Sequence, residues 1–172
     1  YTETKIANNP VSVVSLAERK LRDYKLDRNS RILIIGSGET NTNFSKYLVK
    51  QGYTNFTIFN RTVGNAEKLA KIIQSSTIKA TAHTLDQLNS YDGGFDVLVT
   101  CTSSPEKIIT SELFAKLKGT DSNTKIIVDL SVPSNVAQEV LEANKENVID
   151  VNELKEIASA NLEERQSEYV AA

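Results

Sequence analysis

Gly36-Ser37-Gly38-Glu39-Thr40 and Asn60-Arg61-Thr62 are the residues of this chain whose types and spacing could do chemistry. Gly36 permits a tight turn, and Gly38 lets the main chain approach a diphosphate with no side chain in the way. A helix that starts at this turn adds unpaired N–H groups and the positive end of its dipole, so Ser37, Glu39 and Thr40 join the expected phosphate cradle. About 20 residues further on, an NAD-binding chain usually carries an acid that accepts from the ribose 2′-hydroxyl. Here Asn60 holds that place, followed by Arg61 and Thr62. Asn60 can bond the ribose without repelling a phosphate. Arg61 can grip a 2′-phosphate in a charge-assisted fork, and Thr62 can add a hydroxyl donor. The spacing therefore predicts an NADP site, with NADPH as the cofactor.

Two more segments are expected at the same crevice, because ligands of open α/β sheets sit outside the carboxyl ends of the strands. Thr100, Cys101 and Thr102 end one apolar run, and Asp129, Ser131, Val132 and Pro133 end another. Small hydroxyl residues with free main-chain groups suit the flank of a ribose or nicotinamide. Cys101 is the single cysteine and has no histidine near it in sequence to lower its pKa. It is read as a small neighbour of the cofactor, and no catalytic residue is assigned. His83, the single histidine, is read as structural, and no metal site is expected.

Strands and helices must present these residues. The run 32–35 is continuous and branched, as fits a parallel strand covered on both faces. The runs 56–59, 78–82, 97–100, 125–130 and 148–151 read as further strands. Between them, helical spacing appears at Phe44, Tyr47 and Leu48 (closed by Gly52), at Ala66, Leu69, Ala70 and Ile73, over 112–117, and at Val136, Val140 and Leu141. A short turn or helix is expected over 85–88. Asn9-Pro10 reads as a cap and first helical residue ahead of Val11, Val14, Ala17 and Leu21. That first helix precedes the nucleotide unit and is read as having no role within it. Leu154, Ile157, Ala158 and Leu162 open a last helix. The alternation predicts an α/β chain with a Rossmann-type doubly wound parallel sheet and flanking N- and C-terminal helices. The expected divisions are a connecting helix over 1–29, an NAD(P)-binding domain over 30–150, and the start of a C-terminal helix over 151–172. Asn41 stands where a third glycine is usual, which predicts a wider helix–strand gap or a side chain turned aside.

With 172 residues, 40% hydrophobic and 24% charged, the chain has the composition of a globular domain with flanking segments. A net charge of −2 gives no nucleic-acid footprint spread over the whole chain. No apolar run approaches the roughly 20 residues of a membrane span. The first residues carry no signal-peptide core and do not begin with Met, so a segment of a longer protein is expected. A lone cysteine fits a reducing, cytoplasmic setting.

Taken in order, the motifs resemble the glutamyl-tRNA reductase family over nearly the whole chain. Asn9-Pro-Val-Ser-Val-Val-Ser-Leu-Ala is similar to the start of that family's connecting helix, and Gly36-Ser-Gly-Glu-Thr to its nucleotide turn. Asn60-Arg-Thr with Ala66-Glu-Lys-Leu-Ala resembles its NADPH-selective strand end and the next helix. Asp96-Val-Leu-Val-Thr-Cys-Thr-Ser-Ser-Pro resembles its fourth strand and polar turn, and Asp129-Leu-Ser-Val-Pro its Asp-hydrophobic-Ala-Val-Pro signature. Asn161-Leu-Glu-Glu-Arg resembles the segment that leads to its dimerisation helices. The chain departs from the family pattern at Asn41, at Ser103 (where glycine is frequent) and at Ser134-Asn135, which stand in place of Arg-Asp.

The resemblance implies an NADPH-dependent oxidoreductase of tetrapyrrole (porphyrin and heme) biosynthesis that reduces glutamyl-tRNA to glutamate-1-semialdehyde. It implies a nucleophilic cysteine in a catalytic domain upstream of this chain, so the chain alone is expected to be inactive. The implied partners are glutamyl-tRNA, a second copy joined through C-terminal helices, and glutamate-1-semialdehyde aminomutase. Two other readings remain open. A shikimate-dehydrogenase-like NADP domain also carries Asn-Arg-Thr after its second strand, and a regulatory module could bind nucleotide without hydride chemistry. The terminal helices and the 129–133 segment favour the reductase.

Overall fold

Branched apolar runs become strands here because both faces of the sheet are covered. The computed structural model describes residues 10–171, with side chains over 13–161. Asn9, expected to cap the first helix, lies outside the described residues, as do the side chains of Val11 and Leu162. The strands are β1 (Arg31–Ile35), β2 (Asn55–Asn60), β3 (Lys79–Thr84), β4 (Val97–Thr100), β5 (Ile126–Asp129) and β6 (Val148–Asp150). They form one six-stranded sheet in the order β3-β2-β1-β4-β5-β6, with every pairing parallel. The order reverses between β1 and β4. An open sheet of this kind leaves its crevice at that switch point, beyond the carboxyl ends of the two strands.

The helices are α1 (Pro10–Arg22), α2 (Glu39–Lys50), α3 (Val63–Ile73), α4 (Ser111–Lys118), α5 (Gln138–Ala143) and α6 (Val151–Ala171), with a 3₁₀ turn over Leu85–Ser90. Alternate strand residues face opposite layers. Ile32, Ile34, Phe56, Ile58, Val97 and Val99 pack against α1, α2, α3 and the start of α6. Leu33, Ile35, Phe59, Leu98 and Ile127 pack against Leu113, Phe114, Leu117 and Val140 of α4 and α5. Burial of each such side chain contributes about 1.5–3 kcal/mol.

The first helix is where the structure corrects the sequence reading. Val13, Val14, Ala17 and Leu21 of α1 are all buried in the same core as Ile32 and Ile34. Helix α1 is therefore one of the covering elements of the nucleotide unit. Lys20 also reaches Glu153 on α6 at 3.0 Å. Strand β3 begins and ends later than the 78–82 run, because Ile78 packs at the core margin while His83 and Thr84 pair with Phe59 and Asn60. Val136 lies ahead of α5, in an isolated parallel bridge to Ile109.

The amino ends of β1, β4 and β5 are fastened by charge. Arg31 donates through its main-chain N and Nε to Asp96 Oδ2, at 2.7 and 3.1 Å, and through Nη2 to Asp96 Oδ1 at 2.9 Å. Nη2 also reaches Asp121 at 2.7 Å. Lys125, 2% exposed in its side chain, donates to Asp121 at 2.6 Å and to Phe95 O at 2.7 Å. Burial pushes the Asp96 carboxyl up, but the Arg31 bonds outweigh it and hold Asp96 below the usual range. Lys125 and Arg31 likewise hold Asp121 well below the usual carboxylate range. Gly94 (φ +73°) makes room for this cluster, since a Cβ there would stand 2.2 Å from Arg31 Nη1.

Candidate functional site

The glycine turn joins β1 to α2. Gly36 has φ +102°, and its N–H donates to Phe59 O at 2.8 Å. A Cβ at this position would meet Cys101 O at 2.2 Å, so only glycine lets the turn pass so close to the end of β4. Gly38 precedes α2 at its N-cap position, with no side chain capping the helix. A Cβ built on Gly38 has nothing within 4 Å, so the space above it is open. The first-turn N–H groups of α2 are thus uncapped and face no bulky side chain, the arrangement an anion requires.

Asn41 shows how a polar side chain serves where a third glycine is usual. It is 1% exposed and turned inward, donating through Nδ2 to Ile35 O and Gly36 O at 2.9 Å each. Hydrogen bonds hold helix to strand there. Its Oδ1 has no protein partner.

The turn forms the floor of a crevice of about 650 Å³. Gly36, Ser37, Gly38, Glu39 and Thr40 all line it. One wall carries Asn60, Arg61 and Thr62, and the other carries Cys101 and Thr102. Asn60 Nδ2 donates to Thr62 O at 2.9 Å, which shapes the loop and leaves Asn60 Oδ1 able to accept. Arg61 is exposed, and no ion pair engages it among the described residues. Lys68, also exposed, does not line the crevice. Asn65, Leu85 and Ile108, which local sequence does not single out, do line it, as do Ser103, Ser104 and Pro105.

The other expected residues lie behind or outside that wall. Thr100 is fully buried and donates to Asp129 Oδ1 at 3.0 Å. Ser131 N donates to the same oxygen at 3.3 Å, and Ser134 Oγ donates to Asp129 Oδ2. Burial raises the Asp129 carboxyl, and the Ser134 and Thr100 bonds only partly offset it. Strand alternation turns Thr100 and Asp129 inward, so they support the wall without lining it. Val132 and Pro133 are exposed beyond the crevice, where the chain turns outward past Ser131.

Cys101 is not prepared for nucleophilic attack. Burial pushes its thiol up, a Thr40 bond offsets part of that, and Asp129 raises it again. His83 stacks on Phe59 with ring centroids 5.0 Å apart, and its Nε2 pairs with Thr81 Oγ1 at 3.2 Å. No group of three or more metal-ligating side chains occurs among the described residues.

A parallel sheet with a glycine turn at its switch point is the architecture of the NAD(P)-binding domains of dehydrogenases. Residues 15–157 match the Shikimate / quinate 5-dehydrogenase family, and the chain belongs to that family. Its relatives include glutamyl-tRNA reductases, as the motifs imply. Glutamyl-tRNA reductase 2, chloroplastic, of Cucumis sativus is 30% identical over 170 residues, covering 95% of this chain and 31% of that relative. Glutamyl-tRNA reductase from Methanopyrus kandleri superposes with a TM-score of 0.71 at 26% identity, over 92% of this chain and 39% of that one. The nucleotide-binding domain of glutamyl-tRNA reductase from Thermoplasma volcanium shares the fold at 21% identity and a TM-score of 0.62, over 90% of this chain and 96% of that one. The chain spans about a third of the length of the curated relative.

Proposed function

We propose that this chain is the NADPH-binding part of a glutamyl-tRNA reductase, acting in tetrapyrrole biosynthesis. The observation that carries the proposal is the pairing, across one crevice, of an uncapped helix N-terminus with an Arg61 guanidinium that no ion pair engages among the described residues. The crevice fits the group: Gly38 leaves open the space a diphosphate needs, and no acid stands at 60–62 to repel a 2′-phosphate. When bound, NADPH supplies hydride. The residues of this chain hold and orient it. Main-chain N–H groups over 37–40 would bind the diphosphate, Asn60 Oδ1 would accept from the ribose, and Arg61 with Thr62 would take the 2′-phosphate. Cys101, Thr102 and the loop beyond them flank the nicotinamide half.

The similarity to the reductases supports glutamyl-tRNA as substrate of the whole protein, with the nucleophile supplied by another domain. The further partners, a second copy through the C-terminal helices and glutamate-1-semialdehyde aminomutase, rest on the same resemblance, as does a cytoplasmic setting. Among the described residues, no helix is long and apolar enough to cross a membrane. Calorimetric titration with both reduced cofactors tests the reading. NADPH is expected to bind more tightly than NADH, and equal or reversed affinity removes the role given to Arg61. The chain alone is expected to show no turnover of glutamyl-tRNA; measurable reduction would place the nucleophile within it.

A further inference from the structure

We infer that Asn135 sets the position of the 102–106 loop and, through it, the width of the crevice. The inference deepens the reading above and rests on it for the identity of the ligand. Asn135 is 0% exposed. Its Oδ1 accepts from Thr102 N at 3.1 Å, from Thr102 Oγ1 at 2.9 Å and from Ser131 Oγ. Its Nδ2 donates to Ser104 O at 3.1 Å and to Glu106 O at 3.2 Å. The amide orientation follows from its partners. Thr102 N–H can only donate, and the two carbonyls can only accept. One side chain thus fixes the start, middle and end of the loop from beneath.

Thr102 N also donates to Ser131 Oγ at 3.3 Å, and the loop's remaining bonds are short-range. Ser104 N donates to Thr102 Oγ1 at 3.1 Å, and Glu106 N to Ser104 Oγ at 3.2 Å. These bonds shape the loop internally but do not attach it to the sheet. Thr102, Ser103, Ser104 and Pro105 form the crevice wall opposite Arg61, so the seat of this loop decides how far that wall stands from the phosphate floor. A carboxylate at 135 has the same size and could still accept from Thr102 and Ser131. It could not donate, and its second oxygen would face the carbonyls of Ser104 and Glu106. Both carbonyls would lose a buried partner and be repelled. Asn135 is a positioning residue that itself lies outside the crevice lining.

Asn135→Asp in the full chain tests this. Hydrogen–deuterium exchange without nucleotide is expected to show the amides over 102–106 exchanging about tenfold faster, the loss of roughly one net hydrogen bond. Ile108 and Ile109 should stay protected, because the main-chain carbonyl of Asn135 holds them at 2.8 and 2.9 Å. In titrations, NADPH and NADH should weaken by the same factor, which separates this wall from Arg61. Wild-type exchange over 102–106 in a folded N135D overturns the inference. Failure of the unaltered chain to bind either nucleotide overturns the proposed function instead, and the exchange result stands apart from it. If N135D does not fold, Ser131→Ala removes one of the three donors to Oδ1, and exchange is read at Ser104 and Glu106, which Ser131 does not touch. Faster exchange there is then expected, and unchanged exchange there sinks the inference.

Discussion

At the amino ends of β1, β4 and β5, Arg31, Asp96, Asp121 and Lys125 bond one another across the sheet. At the carboxyl ends of β1 and β4 stand a glycine turn and a hydroxyl-rich loop, and no ion pair lies there among the described residues. The amino end satisfies its charges internally and so has little left for a ligand. The carboxyl end uses neutral side chains such as Asn41 and Asn135 to hold its loops. That leaves main-chain N–H groups and the Arg61 charge uncommitted. Charge serves stability at one edge and recognition at the other.

The substitution with the largest expected effect blurs this contrast, because Gly36 serves both packing and recognition. Gly36→Ala places a Cβ against Cys101 O at a positive φ, and should lower unfolding free energy in urea by about 2–4 kcal/mol and abolish NADPH binding. Asp96→Ala sharpens the contrast. It removes charge-assisted bonds to Arg31 and should destabilise the chain by about 2–3 kcal/mol, with NADPH affinity unchanged in a matched titration. The sign with pH follows from the depressed Asp96 carboxyl. Its contribution is present above the unfolded value near about pH 4 and is lost as pH falls through the native one, so melts of wild type and D96A should converge in acid.

Arg61→Ala is the converse. NADPH should weaken about 10- to 100-fold, with little change for NADH or in Tm. Equal loss for both nucleotides would mean that Arg61 supports the fold. Glu39, an acid in the first turn of α2 at the crevice floor, gives the smallest effect. Glu39→Gln should tighten NADPH about two- to fivefold at low salt, with the gain fading as salt is raised.

The sheet was legible in the sequence because β1, β4 and β5 are branched runs buried on both faces, where composition alone identifies a strand. Strand β3 was less so. It lies at the sheet edge with no fully buried residue, and its Thr and His carry no apolar signal. The packing of α1 on the core could not be read locally, since helical spacing shows a buried stripe without showing what buries it. Within the crevice, the glycine turn and Arg61 were legible by type. Thr100 and Asp129 were not separable from Cys101 and Thr102, because the end of a strand does not reveal which side chains turn inward. Asn135 reaches Thr102 across 33 residues, and no local pattern signals that contact.

The contact between Gly36 and the carbonyl of Cys101 has a mechanical consequence. Floor and far wall touch without intervening side-chain atoms, and the Gly36 N–H bond to Phe59 O, at 2.8 Å, ties the same floor to the end of β2. Arg61 stands two residues past that tie, on a loop held by the local Asn60–Thr62 bond. Freedom to yield is therefore confined to that loop tip, and a departing nucleotide should lose its grip on the 2′-phosphate before any other part.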